Sequence, residues 1–237
     1  DVKKKKDFYK IKRSYKHSLN GVSMELPSNK VEALLQSKVV KAVWSNETVQ
    51  VEPPVEQKSS DNTTETKRLT FPGVDLLHHE GLTGKGIKVG VIDTGIDYNH
   101  PDLKDAYKGG YDFVDNDNDP METTYDDWKK SGYAEINPLT GSTYYTQHGT
   151  HVAGIIAGQG KNNADYAVTG VAPEADIYAY RVLGQYGSGS TEAILAAIDR
   201  AVLDGMDVIN LSLGRSYNDP LYVTSMALNN AVMAGVT

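Results

Sequence analysis

The chain has 237 residues, 39% of them hydrophobic, with a formal net charge of −7. That is enough apolar material for one sizeable core plus a small second unit. No run approaches the roughly eighteen apolar residues of a membrane span, and the absence of cysteine excludes disulfides, thiolate metal sites and a cysteine nucleophile.

Charge divides the chain. Residues 1–50 carry eleven Lys or Arg against five Asp or Glu, and residues 51–237 carry thirteen against twenty-six. A basic arm on an acidic body is one form of nucleic-acid binder. Here KKKKDFYKIKRSYK has no nucleic-acid fold signature and the body repels phosphate, so no nucleic-acid partner is expected. Attraction between the two halves is the simpler reading. Within residues 1–51, YKHSLNGVSMEL alternates around Asn20-Gly21 and predicts a hairpin turning there. SNKVEALLQSK has a helix start and helical spacing, and VKAVWSNETVQV returns to strand. The segment 52–68 is rich in Pro, Ser, Thr and charge. It is expected to be a flexible linker holding a maturation site.

The main domain is expected over 69–237. GIKVGVID predicts a buried parallel strand that delivers Asp93 at its carboxyl end, where open α/β folds place their chemistry. Asp97 and His100 just beyond are turn residues. YDFVDNDNDP packs Asp112, Asp115, Asp117 and Asp119 into eight residues, and carboxylates at that density repel unless solvated, protonated or bound to a hard cation, for which calcium is suited. A solvated acidic turn is the alternative. Asp102 with KNNADYAV at 161–168 is a weaker second candidate. The stretch METTYDDWKKSGYAEINPLTGSTYYTQ suggests an ordered surface loop of unknown role. HGTHVAG then opens a close-packed helix at His148. His151 lies three residues on, without the four-residue spacing and intervening Glu of a zinc pair, and is a structural helix residue. Beyond it, the strands DIYAYRVL and DVINLSL alternate with the helix STEAILAAIDRAVLDG, the rhythm of a sheet covered on both faces.

A buried carboxylate that meets an imidazole can fix its tautomer and stabilise the imidazolium formed when a serine is deprotonated. VIDTGID, HGTHVAG, GVAPEADIYAYRVLGQYGSGS and DVINLSLG stand in the order found in the subtilisin-like serine proteases, and the chain resembles that family. The resemblance implies the N-terminal part of a three-layer α/β fold with a mainly parallel sheet, preceded by a small α+β remnant of an inhibitory propeptide. It implies Asp93 and His148 as catalytic acid and base. Gly187, Ser188 and Gly189 would be one substrate-binding edge, Ser212, Leu213 and Gly214 the other, with Leu183 lining an apolar pocket. It also implies a secreted enzyme that cleaves protein or peptide substrates, with structural calcium at the acidic loop and the chain's own propeptide as a partner.

The family's GTSMA serine segment is absent. Thr224, Ser225, Met226 and Ala227 spell TSMA, but Val223 stands where the family has glycine and the segment comes too early, so Ser225 is expected on a covering helix. The nucleophile and the oxyanion Asn are then expected in a missing C-terminal part, and these 237 residues alone should be inactive. A noncatalytic relative is the alternative. A nucleotide-binding reading of GKG fails, because Gly84 and Gly86 precede the strand instead of following it.

Overall fold

The computed structural model describes residues 9–51, 73–162, 168–214 and 219–237. The proposed linker 52–68 lies outside them. Four parallel strands form the central sheet: β4 (Lys88–Asp93), β5 (Tyr107–Asp112), β6 (Asp176–Arg181) and β8 (Val208–Asn210), in the order β5-β6-β4-β8. β4 is buried from Val89 to Asp93, as expected for a central strand covered on both faces. From β4 the chain first builds the sheet on the side of β6 and then crosses to β8. The carboxyl end of β4 therefore lies at a topological switch point, where such sheets bind ligands.

Helices cover both faces. α4 (His148–Ala157) packs with Val89, Val91, Ile96 and Ile177 in one apolar cluster. α5 (Thr191–Leu203) and α6 (Val223–Met233) close the other, around Ile92, Tyr180, Val182 and Leu183. Ser190 caps α5 by accepting from the Ala193 N–H at 3.3 Å. This is the expected α/β architecture, with strand ends shorter than the apolar runs suggest. Short helices α2 (Val74–His79) and α3 (Tyr125–Ser131) are peripheral.

The N-terminal unit has strands β1 (Lys10–Tyr15) and β2 (Gly21–Glu25) as an antiparallel hairpin, then α1 (Val31–Gln36) and β3 (Thr48–Gln50). The strand, strand, helix, strand order is as expected, but the turn is not. Residues 16–20 form the connection, and Gly21 already belongs to β2. The reason is tertiary. Asp199 of α5 accepts the backbone N–H groups of Lys16, His17 and Ser18 at 3.1, 2.7 and 2.6 Å, so the loop is shaped by the helix beneath it instead of by an Asn-Gly turn.

The two units meet along α5. Arg13 forms an ion pair with Glu192 at 3.3 Å and donates to the Phe113 carbonyl at 2.8 Å. Asn230 of α6 donates to the Ser18 carbonyl at 2.7 Å. β3 adds to the main domain as a strand, antiparallel to β7 (Ser188–Ser190).

Candidate active site

Asp93 and His148, 55 residues apart in sequence, are brought into contact. His148 Nδ1 lies 2.7 Å from Asp93 Oδ1, which also accepts the Thr94 N–H at 2.7 Å. The carboxylate is 1% exposed, whereas the imidazole is half-buried with its other nitrogen directed away from the pair. Asp93 Oδ2 is buried without a hydrogen-bond partner among the described residues, so the imidazole is the group best placed to answer the charge. The hydrogen bond to Asp93 raises the His148 pKa above its ordinary value, against the opposing effect of partial burial. A histidine held in one tautomer and biased toward its protonated form is suited to act as a general base.

Backbone geometry makes this contact possible. Gly149 packs so closely that a Cβ there would lie 2.1 Å from the Gly95 carbonyl oxygen, so any side chain would push α4 off the end of β4. Its N–H donates to Thr94 Oγ1 at 2.9 Å, and Thr150 Oγ1 accepts the Asp97 N–H at 2.8 Å. The residues of TGID and HGT thus knit strand end to helix start.

One residue of the site was not found from the sequence. α4 begins after Gln147, which makes no side-chain cap. The cap comes from a distance: Glu122 accepts from the Thr150 N–H at 2.9 Å and Thr150 Oγ1 at 3.0 Å, and from Thr146 Oγ1 at 2.5 Å. Burial raises the Glu122 pKa, and its charge also raises that of His148. The available signal was negative, a helix start lacking Ser, Thr, Asp or Asn at its cap.

The proposed substrate edges separate. Gly187, Ser188 and Gly189 lie against β3: Val49 pairs with Gly189, Gln50 with Ser188, and the Val51 N–H donates to the Gly187 carbonyl at 3.0 Å. Gly187 adopts φ +66° and approaches Val51. Gly189 is small for another reason, since a Cβ would meet the Val182 carbonyl oxygen at 2.2 Å on its own side of the edge. Leu183 is fully buried in the same apolar cluster as Val49. Ser212, Leu213 and Gly214 pair with no strand among the described residues, and Ser212 Oγ donates to Asn210 Oδ1 at 2.9 Å. Ser225 lies in α6, its Oγ donating to the Asp219 carbonyl at 3.0 Å.

The acidic loop does not converge on a cation-sized point. Asp112 and Asp115 both receive Arg181 Nη1, at 2.5 and 2.8 Å, and Asp112 Oδ1 accepts the Val114 and Asp115 N–H groups. Asp117 Oδ1 caps the Asp119 N–H, and Asp119 accepts from the Tyr98 hydroxyl at 2.7 Å. Arg181 thus supplies a counter-charge to Asp112 and Asp115. The described residues contain no group of three or more His, Asp or Glu side chains placed to hold a metal ion. Asp102 likewise accepts the Lys161 and Asn162 N–H groups, and residues 163–167 of that loop lie outside the described residues. His151 is exposed on α4.

A buried carboxylate fixing an imidazole at the switch point of a parallel sheet, beside a strand edge paired with β3, is the arrangement expected of the acid and base in an Asp-His-Ser site. The chain belongs to the subtilase family: residues 84–236 match the subtilase family model, and residues 1–52 match the peptidase inhibitor I9 model. It is 44% identical over 238 residues to the minor extracellular protease Vpr of Bacillus subtilis, covering 96% of this chain and 27% of that protein. It is 39% identical to the major intracellular serine protease of the same organism, covering 66% and 42%, and 40% identical to its subtilisin E, covering 68% and 35%. A cold-adapted subtilisin-like serine proteinase of known structure aligns with a TM-score of 0.47 at 32% identity, over 66% of this chain and 46% of that one. The chain spans between about a quarter and a half of the length of these relatives.

Proposed function

We propose that the protein is a secreted serine endopeptidase that hydrolyses peptide bonds through an acyl-enzyme, held in a precursor form by residues 1–51. The 2.7 Å contact between His148 Nδ1 and Asp93 Oδ1 carries this reading. Asp93 holds the imidazole so that its free nitrogen takes the proton of a serine hydroxyl and returns it to the leaving amine. The serine belongs to a segment outside these 237 residues. Substrate binds by strand addition to Gly187, Ser188 and Gly189, the edge that β3 covers. Residues 1–51 therefore inhibit by occupying the place of substrate, and cleavage within 52–68 releases the enzyme. Secretion is supported by the likeness to an extracellular protease.

The test is a serine-directed fluorophosphonate applied to the full-length protein and to the 237-residue chain. Labelling of the full-length protein alone is expected. Failure to label the full-length protein would establish a noncatalytic relative. The amino terminus of the mature enzyme is expected within 52–68, and a start upstream of Glu52 would refute that maturation site.

A further inference from the structure

The peptide strand β3 shows two different faces to its surroundings. Alternate residues of an extended strand point to opposite sides. Val49 enters the apolar cluster that contains Leu183. Gln50 points to the other side and meets a wall built by the long segment between Asp93 and His148. Its Nε2 donates to Ser142 Oγ at 3.0 Å and to the Tyr186 carbonyl at 3.4 Å.

That wall is a defined structure. Ile136 and Thr143 form an antiparallel bridge, the Asn137 N–H donates to the Ser142 carbonyl at 2.9 Å, and the Gly141 N–H returns to the Asn137 carbonyl at 2.8 Å. The hairpin is also fixed to the substrate edge. The Tyr186 hydroxyl donates to the Ala134 carbonyl at 2.6 Å, its N–H donates to the Tyr144 carbonyl at 3.1 Å, and the Tyr144 and Tyr186 rings meet edge-on at 5.2 Å. Tyr186 has φ +61°, a left-handed conformation uncommon outside glycine and held here by those contacts. Hairpin and edge therefore keep a constant spacing, and the hydroxyl of Ser142 stands at a fixed height above the peptide residue opposite Ser188.

We infer that hairpin 136–143 forms a subsite for the neutral carboxamide of a Gln side chain on the peptide residue paired with Ser188, with Ser142 as its specificity-determining residue. The inference rests on the proposed peptidase activity. Its chemistry follows from the two oxygens present. The Tyr186 carbonyl can only accept, and Ser142 Oγ accepts the same amide, so the site rewards an N–H donor. A carboxylate of equal size can accept from the Ser142 hydroxyl but brings no donor to the Tyr186 carbonyl, and the two acceptors then face each other. An aliphatic side chain leaves both without a partner as water is excluded.

Chromogenic peptides containing Val-Xaa-Val, the residues of Val49–Val51 with the centre varied, followed by one fixed residue and the leaving group, test this on the full-length mature enzyme. The expected kcat/KM for Xaa = Gln exceeds that for Glu or Leu by about 2- to 10-fold, the range of a single net hydrogen bond. Ser142→Ala is expected to bring the Gln to Leu ratio close to one, and Ser142→Thr to retain the preference. Equal rates for all centres in the unmodified enzyme, or a ratio unchanged by Ser142→Ala, would overturn the subsite while leaving the peptidase reading intact. No hydrolysis of any peptide would overturn both.

Discussion

Two carboxylates on regular elements each gather hydrogen bonds across the chain, with opposite consequences. Asp93, at the end of β4, commits one oxygen to a single imidazole and has no other side-chain partner among the described residues. Asp199, midway along α5, takes three backbone N–H groups and the Ser18 hydroxyl. Donors fixed in a backbone loop have no proton to exchange in a reaction, so Asp199 is an anchor. An imidazole has a second nitrogen outside this contact, so Asp93 can pass its charge to a group able to exchange a proton. What separates an adhesive carboxylate from one suited to the proposed catalysis is the partner's second nitrogen and not the depth of burial, since both are buried.

The strongest way to break this contrast is Asp93→Asn. An amide can donate where the carboxylate only accepts, and the imidazole would then favour the wrong tautomer. In the full-length enzyme kcat is expected to fall by about 10⁴-fold, the order found for that loss in Ser-His-Asp proteases, with little change in KM. A fall below about tenfold would remove Asp93 from the mechanism.

The acid limb of the pH-rate profile sharpens it further. His148 must be neutral to accept a proton, and Asp93 raises its pKa. Activity is therefore expected to be lost, as pH falls, at a midpoint above the ordinary histidine value of about 6.5. The linked stability has the opposite sense: the pair contributes fully below the unfolded pKa and the contribution is lost as pH rises through the raised one. Glu122→Gln keeps an acceptor for the Thr150 N–H and removes a charge. It is expected to move the midpoint to lower pH, and an unmoved midpoint would confine Glu122 to capping.

Asp199→Ala tests the anchor. The Lys16 and His17 amides can turn to water, but Ser18 is buried, and orphaning its N–H costs about 1–3 kcal/mol. Amide exchange of Ser18 in the 237-residue chain should accelerate about 5- to 150-fold. Burial disfavours the charged carboxyl, but the amides of Ser18, Lys16 and His17 outweigh it and lower its pKa. Docking is thus supported above the ordinary carboxylate range and weakens as pH falls through the depressed value. Unchanged exchange in the variant would show the loop to be held by β1 and Asn230 instead.

The same contrast explains what could be read from the amino acids alone. Asp93, His148 and the α/β alternation were legible because each lies inside a local pattern: an apolar run, a small-residue helix start, a capped helix. The hairpin turn was not. Asn20-Gly21 is a strong local signal, and the connection instead follows Asp199, some 180 residues later. Glu122 was missed on the same ground, as its partners Thr146 and Thr150 lie around the start of α4 and not in its own stretch of chain. For Asp112 and Asp115 the sequence gives charge density but not the position of Arg181, so the ion pairs that answer their charge could not be read from it.

The smallest effect belongs to Ser225→Ala. TSMA imitates a nucleophile segment in letters, yet Ser225 lies within the first turn of α6 and gives its hydrogen to the Asp219 carbonyl, a local bond that ties the preceding loop to the helix. Alanine has the higher helix propensity, which offsets part of the lost bond. Net destabilisation below about 1 kcal/mol is expected, with fluorophosphonate labelling of the full-length enzyme unchanged. Loss of labelling would place the nucleophile on α6. It would also require that helix to swing away from the apolar cluster in which Ala227 and Ala231 are buried, at a cost in core packing far above that of one hydrogen bond.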